Sequence, residues 1–411
     1  MENGIVDLEV GFTDEERAVR DTAHRFADEV LRPIGAELDR LPDPEGVIAP
    51  GSALWRVHER YRTLGLEFLE GVGLSGDEAL RAARLRSLTL EEFGWGDAGL
   101  GLGLMVADFP RMFASLSGNP ALIERFAGTN GRRGRYTRRE IGCWAGTEPD
   151  HGSDLITALD SSAPPVKGRA NCVARRDGDQ YVIDGQKSAW VSNGSVADVA
   201  ALYCAAAPGD DFRRFVVAIV PLDLPGVSRG KPLDKIGQRT LNQSEIFFDG
   251  VRIPAEYVVI SPETYVAASE SVLTMANGAM SAVFTGVARA ALEHAVAYAK
   301  ERVQGGVPII RHQSVKARLF RMFSQFEAAR SLSRRVMAYN AVNPPLLHYS
   351  IAAKVVCTTA AFEIASSALQ IFGGNGLSRE YPIEKLLRDA RASMIEDGCN
   401  DVLSLVGAAR L

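Results

Sequence analysis

The sequence predicts an α+β protein of three consecutive units: a helical domain over residues 1–142, a β domain over 143–258 and a helical domain over 259–411. Three observations carry this reading. Apolar residues recur at the helical period from Phe12 to about Gly142. Between Cys143 and Pro254 the texture changes to short β-branched and aromatic runs separated by turn residues. After Ile260 the helical period returns and persists.

Taken in order, the first helix opens at Thr13, a residue type that caps free backbone amides. Asp14, Glu15 and Glu16 follow it, where first-turn acids meet the positive end of the helix dipole. In the β domain the strand signals are Tyr181-Val182-Ile183, residues 215–220 and residues 244–248. Asp177-Gly178-Asp179 and Asp184-Gly185 divide them as turns. Long helices are predicted over 265–303, 313–341 and 347–372, the last stopping at Gly373-Gly374. A chain of 411 residues with 46% apolar composition has ample material for several packed layers.

Bulk properties narrow the function classes. A net charge of -5 argues against a nucleic-acid binder, which needs a concentrated basic face. The five cysteines are scattered without paired spacing, so neither a zinc site nor a disulfide framework is expected, and the six histidines form no ligand pair. No apolar run is expected to reach the roughly 20 residues of a membrane span. The start MENGIVDLEV lacks the basic-then-apolar order of a secretion signal, so membrane insertion is not expected and the predicted location is cytoplasmic.

Two short motifs invite chemical readings that their context opposes. Gly94-Trp95-Gly96-Asp97-Ala98-Gly99 has the spacing of a dinucleotide-binding turn, but it follows a helical run where that turn requires a strand. Gly226-Val227-Ser228-Arg229-Gly230 has the spacing of a nucleophile elbow, but it follows Leu224-Pro225 with no helix behind it.

Four ordered segments are more informative. Thr147-Glu148-Pro149-Asp150-His151-Gly152-Ser153-Asp154 is a loop of hydroxyls and free amides suited to a polar ring edge or a pyrophosphate. Gly185-Gln186-Lys187 leads to Trp190-Val191-Ser192-Asn193-Gly194, an aromatic wall beside a hydroxyl. The third segment carries Tyr298, Arg302, Pro308-Ile309 and Gln313. The fourth reads Gln370-Ile371-Phe372-Gly373-Gly374-Asn375-Gly376, Glu380-Tyr381-Pro382-Ile383-Glu384-Lys385 and Arg388-Asp389-Ala390-Arg391.

Together these resemble the acyl-CoA dehydrogenase family, across nearly the whole chain. The resemblance implies an N-terminal helical domain, a middle β-barrel-like domain and a C-terminal four-helix bundle, assembled as a homotetramer or dimer. It implies FAD between the middle and C-terminal domains. Thr147 and Ser153 would meet the flavin edge and pyrophosphate, and Trp190 and Ser192 would hold the ring. Gln370, Gly373 and Gly374 from one subunit, with Arg302 and Gln313 from another, would surround the ADP half. The implied substrate is a saturated acyl thioester, as acyl-CoA or acyl-carrier protein, with an electron-transfer flavoprotein as electron acceptor. The basic stretch Arg132, Arg133, Arg135, Arg138 and Arg139 is either a solvated loop face or a surface for CoA phosphates or a carrier.

In the family a carboxylate removes the α proton while the β hydrogen passes as hydride to flavin N5, and a glutamate in an E-G-T turn commonly supplies the base. Register with Arg388-Asp389-Ala390-Arg391 places Asp397 at that position, one methylene or about 1.5 Å shorter. Glu396 is the second candidate. Cys399 stands where a threonine often bonds FAD, and Asp401 where Gln or Glu lies near it. Gly305 replaces a common phenylalanine. Ala276 and Asn277 occupy the alternative base and arginine positions on the long helix, and neither can serve as a base. The unusual base suggests a specialised thioester, as in secondary metabolism. A flavin-dependent monooxygenase and a non-catalytic flavin-poor homologue remain alternatives on the same fold.

Overall fold

The computed structural model describes residues 6–9, 11–66, 73–127, 140–160, 166–207 and 211–411; the basic stretch 132–139 lies outside them. The first unit contains α1 (Asp14–Phe26), α2 (Arg32–Asp39), α3 (Leu54–Arg62), α4 (Gly76–Gly96), α5 (Ala98–Ala107) and α6 (Phe109–Ser117). Thr13 caps α1 as a capping box: its hydroxyl accepts from the Glu16 amide at 3.1 Å while Glu16 accepts from the Thr13 amide at 2.7 Å.

The second unit is an eight-stranded sheet: β1 (Gly142–Ala145), β2 (Cys172–Asp177), β3 (Gln180–Ser192), β4 (Val199–Ala206), β5 (Phe215–Pro221), β6 (Val227–Arg229), β7 (Gln243–Pro254) and β8 (Val258–Ile260). The order is β6-β7-β3-β2-β4-β5-β8, with β1 and β2 each running parallel to β4 and the remaining pairs antiparallel. Alternation explains why β4 and β5 read as unbroken apolar runs. Ala201, Tyr203, Phe215 and Val217 face the helical core, while Ala200, Leu202, Val216 and Ala218 face a second core inside the sheet.

One expected turn is instead part of a strand. Asp184-Gly185 lies within β3, where the register against β7 shifts between Ile183 and Gly185. Gly185 has φ +121°, and a Cβ there would lie 1.9 Å from the Asn171 carbonyl oxygen, so the glycine makes a bulge rather than a chain reversal.

The third unit is helical: α7 (Tyr265–Glu301), α8 (Gln313–Val342), α9 (Leu347–Phe372), α10 (Ile383–Ser393) and α11 (Asn400–Ala408). Helix α9 ends where Gly373 adopts φ +60°. Helix α7 lies at the centre, packed on α8, α9 and also α4 of the first unit. At that crossing a Cβ on Gly94 would sit 1.8 Å from the Val283 carbonyl oxygen, and one on Gly286 would sit 1.9 Å from that of Glu91. Gly94, the first glycine of the segment that mimics a dinucleotide motif, and Gly286 opposite it therefore let two helices touch backbone to backbone.

Buried charge fastens the same junction: Arg289 of α7 and Arg330 of α8 bind Glu91 at 2.9 and 2.7 Å, and Arg334 binds its other oxygen at 3.0 Å. The expectation about apolar runs needs correction. Helices Tyr265–Glu301 and Leu347–Leu377 are long and apolar enough to cross a membrane, yet 89% and 50% of their apolar windows are buried within the protein. For the first, a central position in the helical core accounts for the composition.

Candidate functional site

A cavity of about 1010 Å³ opens where the sheet meets the C-terminal helices. Thr147, Glu148 and Ser153 of the loop after β1, Trp190 and Ser192 at the end of β3, the loop carrying Lys235 and Gln238, and Glu396 and Asp397 after α10 all line it.

The loop after β1 is locked from beneath. Glu148 and Lys187 form a fully buried ion pair at 2.7 Å, and Lys187 also donates to the Gly146 carbonyl at 3.0 Å. Burial alone would depress the Lys187 ammonium, but the Glu148 carboxylate outweighs it and holds its pKa above the ordinary lysine value. Cys399 donates its backbone amide to the Ser153 hydroxyl at 2.9 Å, tying this loop to the turn after α10. At the other edge Gln243 donates to the Ser192 hydroxyl at 3.1 Å and the Trp190 carbonyl at 3.2 Å, its amide oxygen accepting from Lys235 at 2.7 Å. The Trp190 ring remains 58% exposed, a flat apolar face without cover.

Asp397 and Glu396 are both partly buried at the cavity wall. Asp397 has φ +51°, a left-handed conformation that Asp tolerates better than most side chains. Burial pushes its carboxyl up to about 6, opposed by the Lys354 ammonium. Burial and the neighbouring Asp397 push Glu396 up to about 7, while a hydrogen bond from Gln238 works the other way. Among the described residues no hydrogen bond reaches the Asp397 carboxylate, so it faces the cavity unengaged.

The Arg388-Asp389-Ala390-Arg391 segment works as a clamp between units. Arg388 grips Asp39 with two bonds of 2.9 and 2.6 Å and the Ile236 carbonyl at 2.8 Å. Asp389 accepts the Gln238 amide at 2.5 Å. Lys385 bridges Asp389 and Asp97 at 2.5 and 2.6 Å. Gly237 passes so close to α10 that a Cβ would sit 2.2 Å from the Arg388 carbonyl oxygen.

The sequence-predicted residues fall into two groups. Thr147, Ser153, Trp190, Ser192, Glu396 and Asp397 meet at the cavity. Arg302, Gln313, Gln370, Gly373 and Gly374 are exposed elsewhere on the chain and do not line it. There Tyr298 stacks on Phe372 with ring centroids 4.1 Å apart, and Asn375 donates to the Tyr298 hydroxyl at 3.0 Å, so the third and fourth segments join. The Cys399 side chain is absent from the cavity wall, and Asp401 is exposed in the first turn of α11. Ala276 and Asn277 are buried in α7 away from the wall.

Residues 143–251 match the model of the acyl-CoA dehydrogenase middle domain and residues 266–411 that of the C-terminal domain. The chain belongs to the acyl-CoA dehydrogenase family. It is 33% identical to benzylmalonyl-CoA dehydrogenase of Aromatoleum aromaticum, over 97% of this chain and 98% of that protein. It is 30% identical to the mitochondrial short-chain specific acyl-CoA dehydrogenase of Rattus norvegicus, over 98% and 91% respectively. The butyryl-CoA dehydrogenase structure from Megasphaera elsdenii superposes with a TM-score of 0.82 at 26% identity, covering 98% of this chain and 99% of that one.

This member of the acyl-CoA dehydrogenase family is thus an FAD-dependent oxidoreductase acting on CH–CH groups. The residues present fit such a cofactor. The cavity is bordered by the hydroxyls of Thr147, Ser153 and Ser192 and by an uncovered indole, and the buried Trp144 Nε1, Tyr203 Oη and Ser269 Oγ on its wall make no hydrogen bond within 3.5 Å among the described residues. Orphaned polar atoms of this kind call for a polar occupant.

Sequence reasoning missed Lys235, Gln238, Lys354 and the pairing of Glu148 with Lys187. Glu148 and Lys187 stood within quoted motifs, but their partnership spans 39 residues. Lys354 is a lone cation in the apolar run of α9, a local exception to the helix pattern that could have marked it.

Proposed function

We propose that this chain catalyses α,β-dehydrogenation of a saturated acyl-CoA, with Asp397 removing the α proton. The observation that carries this is the pair of adjacent carboxylates in unequal settings: Glu396 is tethered by Gln238, while Asp397 lines the cavity with no hydrogen bond from the described residues. A carboxyl group raised to about 6 is ionised at neutral pH yet more basic than a solvated one, as a general base should be. FAD, when bound, supplies the acceptor for the β hydrogen. Trp190 offers a flat face to hold the ring, Gln243 fixes the direction of the Ser192 hydroxyl, and the Glu148–Lys187 pair keeps the Thr147–Ser153 loop in place.

An acyl-carrier protein is the alternative thioester donor, an electron-transfer flavoprotein the proposed electron acceptor and the cytoplasm the proposed location. A dimer or tetramer is also proposed, in which Gln370, Gly373 and Gly374 of one subunit and Arg302 and Gln313 of another surround the ADP half of FAD; all five are exposed on this chain, as that arrangement requires. Exposed Tyr349 and Val356 of α9, Leu405 of α11 and Phe320 of α8 give such an assembly apolar surface to cover. The deciding experiment is anaerobic titration of the FAD-loaded protein with saturated acyl-CoA and acyl-carrier thioesters. Bleaching of the oxidised flavin band by an acyl-CoA supports the proposal; bleaching by acyl-carrier thioesters alone, or by no thioester across chain lengths, rejects it.

A further inference from the structure

Lys354 lies on α9 with its side chain wholly buried, and among the described residues no carboxylate is hydrogen-bonded to it. Its ammonium donates to the Gly398 carbonyl at 2.7 Å and to Oδ1 of Asn400 at 2.8 Å. Asn400 in turn donates to the Thr358 hydroxyl at 3.0 Å, and Thr358 sits one turn along the same helix. Burying a lysine against neutral acceptors is costly, so the charge needs a compensating reason. The Gly398 it grips directly follows Asp397, and both residues hold left-handed backbone angles, +51° and +91°. A side chain on Gly398 would also run into Ile156 and Leu403, at 2.6 and 2.9 Å, so the turn is fixed from two sides.

We infer that Lys354 is a positioning residue for the reaction: it clamps the Asp397–Gly398 turn from within the bundle and holds the Asp397 carboxylate anionic at the cavity wall. This rests on the reading of Asp397 as the base. The charged and titratable groups around it are consistent. Asp397, Glu396 and Cys399 face Lys354 from the turn, Lys235 reaches Glu396 from the middle-domain loop, and Arg391 of α10 borders the cavity. Asp397 and Glu396 draw the Lys354 pKa upward, yet burial still lowers it to about 8, so it remains cationic at neutral pH.

The test is the pH dependence of anaerobic flavin reduction by an acyl-CoA in the FAD-loaded wild type and three variants. Lys354→Met keeps chain length and removes the charge; the acid limb should move up by about one pH unit or more. Asn400→Asp leaves the lysine in place and neutralises its field, and should move the limb in the same direction even if Lys354→Met fails to fold. A rate that falls equally at every pH, with the limb unmoved, overturns the inference and leaves a purely structural lysine. Asp397→Asn separates the two claims: if it still reduces flavin, the base assignment fails and this inference with it; if it is inactive while the limbs stay put, only the role of Lys354 is lost.

Discussion

Gln238 donates its side-chain amide to Oε1 of Glu396, joining the middle-domain loop to the turn after α10. The bond occupies the carboxylate nearest in sequence to Asp397 and leaves Asp397 as the unengaged one. Replacing Glu396 by Gln should therefore keep flavin reduction within about tenfold of wild type, whereas Asp397→Asn should lose at least about 10²-fold while retaining FAD. Stopped-flow reduction of both variants checks this, and equal losses in the two would shift the base to Glu396.

The pH profile has a definite sign. A carboxyl raised to about 6 must be deprotonated to accept the α proton, so reduction should climb from pH 5 and level off above pH 7. A profile flat across that range would exclude Asp397 as the titrating group.

The Glu148–Lys187 pair makes a stability prediction. Lys187→Met strands a buried carboxylate and should cost about 3–5 kcal/mol. The double variant Lys187→Met with Glu148→Gln should recover much of the loss, because a neutral amide is cheaper to bury. Denaturant unfolding of both proteins measures it, and additive losses would show that the two residues are not coupled.

Glu91 is held well below the usual carboxylate range: burial would raise it, but Arg330, Arg334 and Arg289 overcome that penalty. A depressed folded-state pKa contributes stability above the unfolded value, and this is lost as pH falls toward the folded value. Glu91→Gln should thus lower stability at pH 7 by about 3–5 kcal/mol and flatten the acid side of the stability curve. Thermal unfolding between pH 3 and 7 is the measurement, and parallel curves for variant and wild type would contradict it.

Arg302 is exposed and makes no side-chain bond within the chain among the described residues. Arg302→Ala should leave unfolding within about 0.5 kcal/mol of wild type but lower FAD retention through purification. Full FAD content in the variant would remove Arg302 from the cofactor site.

The three helices read over 265–303, 313–341 and 347–372 lie at Tyr265–Glu301, Gln313–Val342 and Leu347–Phe372 because period and caps are local signals. The helix cap at Thr13 and the stop at Gly373 are legible for the same reason, while the reciprocal bond to Glu16 emerges only in the structure. The site was legible only where residues sit in contiguous motifs, as Thr147 and Trp190 do. Gln238 and Glu396 are 158 residues apart, and their contact depends on a clamp from Arg388 to Asp39 that reaches across another 349. Nothing in local periodicity encodes such a meeting. The Asp184-Gly185 bulge failed differently: a turn-forming pair served strand geometry because the chain continued beyond it.

Strands β4 and β5 bury both of their faces, one inside the sheet and one against helices from each end of the chain. During synthesis the face bearing Tyr203 and Phe215 emerges well before α7, whose Tyr265 packs on both rings. A nascent chain halted in that interval carries a sticky apolar wall, a surface for chaperones or for unwanted self-association. Excising the sheet as a stand-alone fragment would make that transient exposure permanent.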